Sequence, residues 1–551
     1  MKKQRVLQRA LSFLLALALV LTCNATALTA HAYNAVAEVK TLADVPADLS
    51  GKTIILHSND VHGAIGRYAY IASVKQNLQK RGAEVILVDA GDFSQGTPFV
   101  STTKGLDAIA SMNAAGYDIV TLGNHEFDYG YTQLKANLAV AKFKTVCADV
   151  FDASGNTIVA PNTMYTTKSG MKIGFFGMET PETQTKVNPA LIQGIKFLSK
   201  GDLYTCAQEQ VTTLKDQGAD LVVCLSHLGV DEESAPDGHR SIDLYKNTKG
   251  IDLLIDGHSH TVMSAEKPSE PIGSTGTKLQ TIGVVVLDNA TKKFEDNYLI
   301  TLDGLQKEVI TEAVTNAIIK RVENEYGVVF AESKVDLNGA KAPGNRTEET
   351  NLGDLITDAL LWSVSKEGSL NVPTDHVVAI TNGGGIRAAI NAGPVTKADI
   401  NTVLPFGNTV AVVYVTGAEL LEALEASTYC TPDAIGGYPQ TKGIKFTLDT
   451  SKPFAKGTAY PASTYYKPSA IRRVTIESIN GQPFNEKDTY AVVTNNFCAA
   501  GGDTYFVFQN ASSQFDTGIV LDEAVIDYVV KELHGVIGTE YASPRGDQTI
   551  N

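Results

Sequence analysis

From residue 53 onward the chain alternates two hydrophobic periods. Short apolar runs ending in a polar or charged cluster, "TIILHSND", "EVILVDAGD", "DIVTLGNHE", "DLVVCLSHLG" and "IDLLIDGHSH", predict buried strands. Between them, apolar residues recur at helical spacing around Ile71 to Gln79, in "LDAIASMNAAG", and around Leu203 to Gln217. Strands alternating with helices in this way predict a layered α/β domain. A strand-rich stretch, "LQTIGVVVLDNATKKFEDNYLITLDG", closes this first half near Gly304. The segment Leu305 to Tyr326 keeps helical spacing without Gly or Pro, so it predicts a connecting helix. A second α/β pattern follows, with "VVAITNGGGIR", "VVYVTGAELLEALEAS" and "TYAVVTNNFCAAGGDTY"; in the middle run Thr416 and Glu419 have capping-box spacing. The expected organisation is a leader over 1–32, an α/β domain over 50–304, a connecting helix over 305–328 and a second α/β domain over 329–545.

The leader is read from its own pattern. Lys2, Lys3, Arg5 and Arg9 precede an apolar run from Leu11 to Leu21, and Ala30-His31-Ala32 offers small residues for cleavage near Ala32. That run is too short to span a bilayer, and no later stretch approaches ~20 apolar residues, so we expect an exported protein without a transmembrane anchor. Export puts it outside the cell, at the cell wall or in a periplasm. Once Cys23 leaves with the leader, five cysteines remain without CxxC spacing, which points to buried free thiols rather than a disulfide framework or structural zinc. The net charge of −15 argues against a nucleic-acid polymer as partner. A small anionic substrate is compatible with it where metals and a few arginines concentrate positive charge.

Five strand ends of the first domain carry metal-type side chains. They are Asp60 and His62 in "SNDVHG", Asp92 in "DAGDFSQG", Asn124 and His125 in "GNHEFD", His227 in "SHLG", and His258 with His260 in "GHSH". Any one of these has a dull explanation as a cap, a turn residue or a core histidine. In an open α/β sheet, however, the carboxyl ends of neighbouring strands converge on one crevice, so residues distant in sequence meet. Asp60, His62, Asp92, Asn124, His227, His258 and His260 then form a mixed nitrogen and oxygen set suited to two borderline divalent ions, zinc or manganese. One carboxylate must bridge to give each ion four protein ligands. Asp92 is the natural choice.

The order DxH, GD, GNHE, H, GHxH resembles the calcineurin-like metallophosphoesterases. With "NGGGIR", "LPFGN" and "AAGGD" downstream, the chain is similar to the two-domain 5'-nucleotidase family, which includes bacterial UDP-sugar hydrolases and animal ecto-5'-nucleotidases. The resemblance implies a four-layer metallophosphoesterase sandwich joined by a helix to a second α/β substrate-binding domain. It also implies that Asp60, His62, Asp92 and His260 hold one metal, and that Asp92, Asn124, His227 and His258 hold the other. His260 stands where some relatives have Gln or Asn.

Two metal ions can clamp a phosphate and lower the pKa of a bound water, so hydroxide is the expected nucleophile and no Ser, Cys or Asp nucleophile is needed. His125 is left over from the ligand count, with Asp128 three residues on to orient it, which suits a transition-state donor or an aid to the leaving oxygen. By the resemblance, Arg346, Asn382 and Arg387 contact phosphate, Phe406 and Phe497 sandwich the base, and Asp503 accepts hydrogen bonds from ribose. Glu348 stands where some relatives have a second arginine, so the phosphate grip is expected to be lighter. The expected activity is phosphate release from nucleoside 5'-monophosphates. The motifs do not separate this from UDP-sugar hydrolysis or 2',3'-cyclic phosphodiester cleavage, and a non-catalytic surface protein is the alternative of a different class.

Overall fold

The computed structural model describes residues 39–230, 238–264, 271–365, 370–461 and 463–551; the leader expected over 1–32 lies outside them. The first body is built on two sheets. One has seven strands in the order Val39–Lys40, Lys293–Thr301, Thr281–Asp288, Lys52–Ser58, Glu84–Asp89, Ile119–Val120, Lys144–Thr145. The other has six, in the order Val262–Met263, Ile272–Thr275, Leu253–Asp256, Leu221–His227, Lys172–Glu179, Asn162–Thr166.

The period of two explains how they stack. In Lys52–Ser58 and Glu84–Asp89, Ile54, Leu56, Val85 and Leu87 point to one face and Ile55, Ile86 and Val88 to the other. The second set meets Ile173, Phe175, Val223, Leu225 and Ile255 of the six-stranded sheet, forming the layer between the sheets. The first set packs under helices Tyr68–Lys80, Leu106–Ala115 and Val309–Tyr326. On the far side, Phe176, Met178, Val222 and Cys224 meet helices Lys200–Asp216 and Ser241–Asn247. The body is therefore a four-layer α/β/β/α sandwich. Strands apolar on both faces need such double cover, which is why the runs read as continuous rather than alternating.

The helix Val309–Tyr326 belongs to this body. Ile318 and Val322 are buried, the Thr311 hydroxyl donates to the Ala114 carbonyl at 3.0 Å, and Arg321 pairs with Asp107. Its start is set by Glu308, whose carboxylate accepts the Thr311 N–H at 2.7 Å.

The second body centres on a five-stranded sheet ordered Pro439–Lys442, Val377–Asn382, Thr489–Asn495, Thr409–Thr416, Ser513–Val520. Helices Asn351–Ser365 and Leu521–Lys531 cover one face, and Gly417–Ser427 with a smaller sheet covers the other. Thr416 and Glu419 form the capping box, with Thr416 N–H to Glu419 Oε2 at 2.7 Å and Glu419 N–H to Thr416 Oγ1 at 3.3 Å. The terminal strand Gln548–Ile550 pairs with Ile444–Leu448. Cys147, Cys206, Cys224, Cys430 and Cys498 are free thiols, and all but Cys430 are buried. No helix among the described residues is long and apolar enough to cross a membrane.

Gly283 shows how tightly the first body is assembled. It pairs across the ladder with His57, which is buried and whose imidazole burial pushes down to about 3. A Cβ on Gly283 would run into the His57 ring. Gly283→Ala is therefore expected to cost about 1–3 kcal/mol of stability. A thermal melt reads the effect, and an unchanged midpoint would show that the strand can shift off the imidazole without penalty.

Candidate functional site

The parallel strands of both sheets deliver their carboxyl ends to one edge, and the loops that follow carry the candidate ligands. Backbone bonds lace the loops together: Asp60 N–H donates to the Gly91 carbonyl at 2.9 Å and His62 N–H to the Asp92 carbonyl at 3.0 Å. Gly91 and Gly123 touch backbone to backbone, leaving no space for a Cβ on Gly91. Five candidates sit in the left-handed region, Asp60 at φ 50°, His62 at 45°, Asp92 at 63°, His258 at 72° and His260 at 56°. Each such residue costs on the order of 1 kcal/mol or more, so the surrounding contacts must hold it there. Strain concentrated on five side chains that face one point is a mark of a built site.

All seven candidates come together. Asp60, His62 and His260 have ligand atoms within 4.8 Å of one another, as do Asp92, His227 and His258. Asn124 joins the second group, with Oδ1 2.9 Å from His258 Nδ1. His125 forms a third such group with His62 and Asp92, its Nε2 4.0 Å from Asp92 Oδ2, while its Nδ1 lies 2.7 Å from Asp128.

The donor chemistry tests whether cations fit. His227 gives its Nδ1–H to the Ala90 carbonyl at 2.6 Å, which leaves Nε2 with a bare lone pair 3.0 Å from the Asp92 carboxylate. Two acceptors face each other there. His258 repeats the pattern: Nε2–H donates to Glu182 at 3.1 Å, so Nδ1 faces the Asn124 carbonyl oxygen as a second acceptor pair. The Nε2 atoms of His62 and His260 are 3.0 Å apart, and His260 Nε2 is 3.4 Å from Asp60. The first two contacts are repulsive unless positive charge lies between them, and a divalent cation of the zinc or manganese kind fits there; the His62–His260 pair, which an Nε2–H of either ring can bridge, sets two further imidazole nitrogens beside Asp60. Protonation answers the same demand. Burial would lower the His227 pKa, yet the facing carboxylates of Asp92 and Asp60 pull it well above the usual value. Burial raises Asp60 strongly, while Asp92, equally buried, is held well below its usual value by His227, His125 and His62.

The His125 pair behaves differently. Burial pushes the His125 imidazole down to about 3 and the Asp128 carboxyl well up. With Nδ1 engaged by Asp128, Nε2 is the ring nitrogen left toward Asp92 and the cleft.

The second body supplies the other wall. The cleft is lined from one side by Asp92, Asn124 and His125 and from the other by Arg346, Asn382, Arg387, Phe406, Phe497 and Asp503. Asn382 Nδ2 donates to Asp503 at 2.8 Å, fixing a carboxylate that is 2% exposed. Neither Arg346 nor Arg387 has an ion-pair partner among the described residues. Burial and the nearby Arg346 push Arg387 down to about 10. Phe406 and Phe497 both line the cleft, and Phe406 stacks on His125, with centroids 5.7 Å apart and planes 28° apart, its ring centroid 5.7 Å from the Arg387 guanidinium. Glu348 is exposed and does not line the cleft, which Lys186 and Lys341 line together with the two arginines.

Two glutamates escaped the sequence reading. Glu182, on the loop after Lys172–Glu179, reaches His258. Glu126, one place past His125, accepts the N–H groups of Asp92 at 2.8 Å, Phe93 at 3.0 Å, Ser94 at 3.0 Å and Gly123 at 2.7 Å. Burial and Asp92 raise it to about 7. Glu126→Ala would leave four buried donors without an acceptor, each worth about 1–3 kcal/mol. The expected result is a lower melting temperature together with weaker metal retention on dialysis; full retention would show that the Asp92 loop keeps its shape without this clamp.

Known proteins are similar to this chain in sequence and in fold. A family model for calcineurin-like phosphoesterases matches residues 53–262, and one for the 5'-nucleotidase C-terminal domain matches residues 329–510. The trifunctional nucleotide phosphoesterase protein YfkN of Bacillus subtilis is 30% identical over 534 residues, 87% of this chain, and the chain spans 34% of that relative's length. The 5'-nucleotidase of Vibrio cholerae is 26% identical across 91% of this chain and 94% of its own. Among solved structures, a 5'-nucleotidase precursor from Thermus thermophilus matches with a TM-score of 0.74 at 29% identity, over 91% of this chain and 99% of that one. The chain therefore belongs to the two-domain 5'-nucleotidase family, phosphoric ester hydrolases that join a calcineurin-like phosphoesterase domain to a 5'-nucleotidase C-terminal domain.

Proposed function

We propose that the protein is an exported, dinuclear-metal-dependent hydrolase that releases phosphate from nucleoside 5'-monophosphates in the cleft between its two bodies. The observation that carries this reading is the pair of guanidiniums, Arg346 and Arg387, without carboxylate partners among the described residues, in the cleft that the Asp92, Asn124 and His125 side chains line. An anion is what such a cleft selects, and the planar guanidinium fork suits phosphate.

Two divalent ions, one held by Asp60, His62, Asp92 and His260 and the other by Asp92, Asn124, His227 and His258, would supply Lewis-acid polarisation of the phosphoryl oxygens and a more acidic water for in-line attack. The protein's own groups do the rest. Arg346, Asn382 and Arg387 position the phosphate, and His125 donates its Nε2–H to phosphoryl oxygen as charge builds. Asp128 orients the imidazole through its contact with Nδ1. Asp503, held by Asn382, accepts hydrogen bonds from ribose hydroxyls. Phe497 and Phe406 provide stacking faces for the base.

The substrate reading is tested by phosphate release from AMP, UDP-glucose, 2',3'-cyclic AMP and a base-free aryl phosphate, each with and without chelator. AMP should lead and chelator should abolish turnover; inert AMP beside rapid UDP-glucose or cyclic-nucleotide cleavage would contradict the assignment. Replacing Phe406 and Phe497 with Ala should remove stacking of about 1–3 kcal/mol each, raising KM for AMP while sparing the aryl ester. Equal loss on both substrates with a lower melting temperature would instead make the rings core residues. For His125→Ala, kcat should fall about 10²–10⁴-fold with metal content unchanged, whereas lost metal would make His125 a ligand.

A further inference from the structure

Glu182 has no place in the ligand set and none in the substrate groups, yet it is 5% exposed and aimed at the centre of the site. Its Oε2 lies 3.1 Å from Nε2 of His258. A carboxylate only accepts, so this contact fixes the proton on Nε2 and turns the lone pair of Nδ1 toward Asn124 Oδ1, 2.9 Å away. The opposite tautomer would put a bare nitrogen against the carboxylate and an N–H where the cation is to bind. A ring held the wrong way offers no ligand.

The segment bearing Glu182 is itself fixed from two sides. Within the first body, its carbonyl accepts the N–H groups of Thr185 and Lys186, each at 2.8 Å, and the Lys186 ammonium stands 4.0 Å from its carboxylate. From the second body, Asp503 N–H donates to the Thr185 carbonyl at 2.6 Å, and Lys186 lies over the Tyr465 ring at 5.7 Å. The same short stretch thus touches the metal centre through Glu182 and the second body through Thr185 and Lys186.

We propose that Glu182 is a positioning residue of the metal centre: it holds His258 in the tautomer and orientation that present Nδ1, beside Asn124, to one of the two ions. The proposal rests on His258 being a ligand. A carboxylate behind a ligating imidazole also raises its basicity, and removing such a partner typically weakens metal affinity 10–100-fold.

The test uses zinc alone, titrated into metal-free full-length protein against a chromogenic chelator, so it needs no turnover. Glu182→Ala should bind one zinc with wild-type affinity and the other roughly 10–100-fold more weakly, with the metal-free melting temperature unchanged. Glu182→Gln, whose amide oxygen still accepts the Nε2–H, should recover part of that loss, and it decides the question by itself if the Ala variant does not fold. His258→Ala serves as reference and should lose the same zinc. Two zincs at wild-type affinity in both Glu182 variants, with one lost in His258→Ala, would overturn the role of Glu182. Wild-type binding in all three would overturn the ligand reading of His258 as well.

Discussion

The structure is organised around a crowd of hydrogen-bond acceptors that cannot stand next to one another without positive charge. The Asp92 carboxylate faces a bare imidazole nitrogen of His227 at 3.0 Å, where both residues are buried with little water to screen them, and His258 faces an amide oxygen at 2.9 Å. Buried acceptors at these distances are repulsive, and the repulsion is strongest where the surroundings are dry. The fold keeps them there through glycines that let loops touch and through five residues held in the left-handed region. Strain and repulsion are both sustained by the four-layer sandwich beneath, whose buried strands cannot relax without exposing the layer between the sheets.

The second body answers the first in sign. A chain of net charge −15 would repel a phosphate ester, but the cleft combines a site built for cations on one wall with two guanidiniums free of carboxylate partners among the described residues on the other. Local field therefore decides recognition, and net charge affects solubility and approach. Phe406 links the walls by stacking on His125, so the aromatic ring and the proton donor share one position at the centre of the cleft.

Much of this was legible in the sequence because strands write their pattern locally. Apolar runs ending in Asp60, Asp92, Asn124, His227 and His258 announced both the sheets and the ligands, since a parallel strand puts its last residues at the crevice. The groups that were missed act through tertiary contacts with no spacing of their own. Glu126 lay in plain view in "GNHEFD", but its work is to gather four N–H groups from two loops that only the folded sheet brings together. Glu182 sits in "TPETQTK", which reads as an ordinary turn; nothing there points to an imidazole 76 positions later. The stacking of Phe406 on His125 was equally beyond the pattern, because side-chain direction in a loop is set by the neighbour it finds.

The central claim is that two cations share Asp92. Metal content by elemental analysis of zinc-saturated protein tests it directly, on the wild type and on Asp92→Ala in parallel, with circular dichroism to confirm the fold. The account predicts two zincs per wild-type chain, and at most one in a folded, inactive variant, because two cations left facing each other without their shared anion repel. Two zincs per chain in Asp92→Ala, with turnover near that of the wild type, would contradict it.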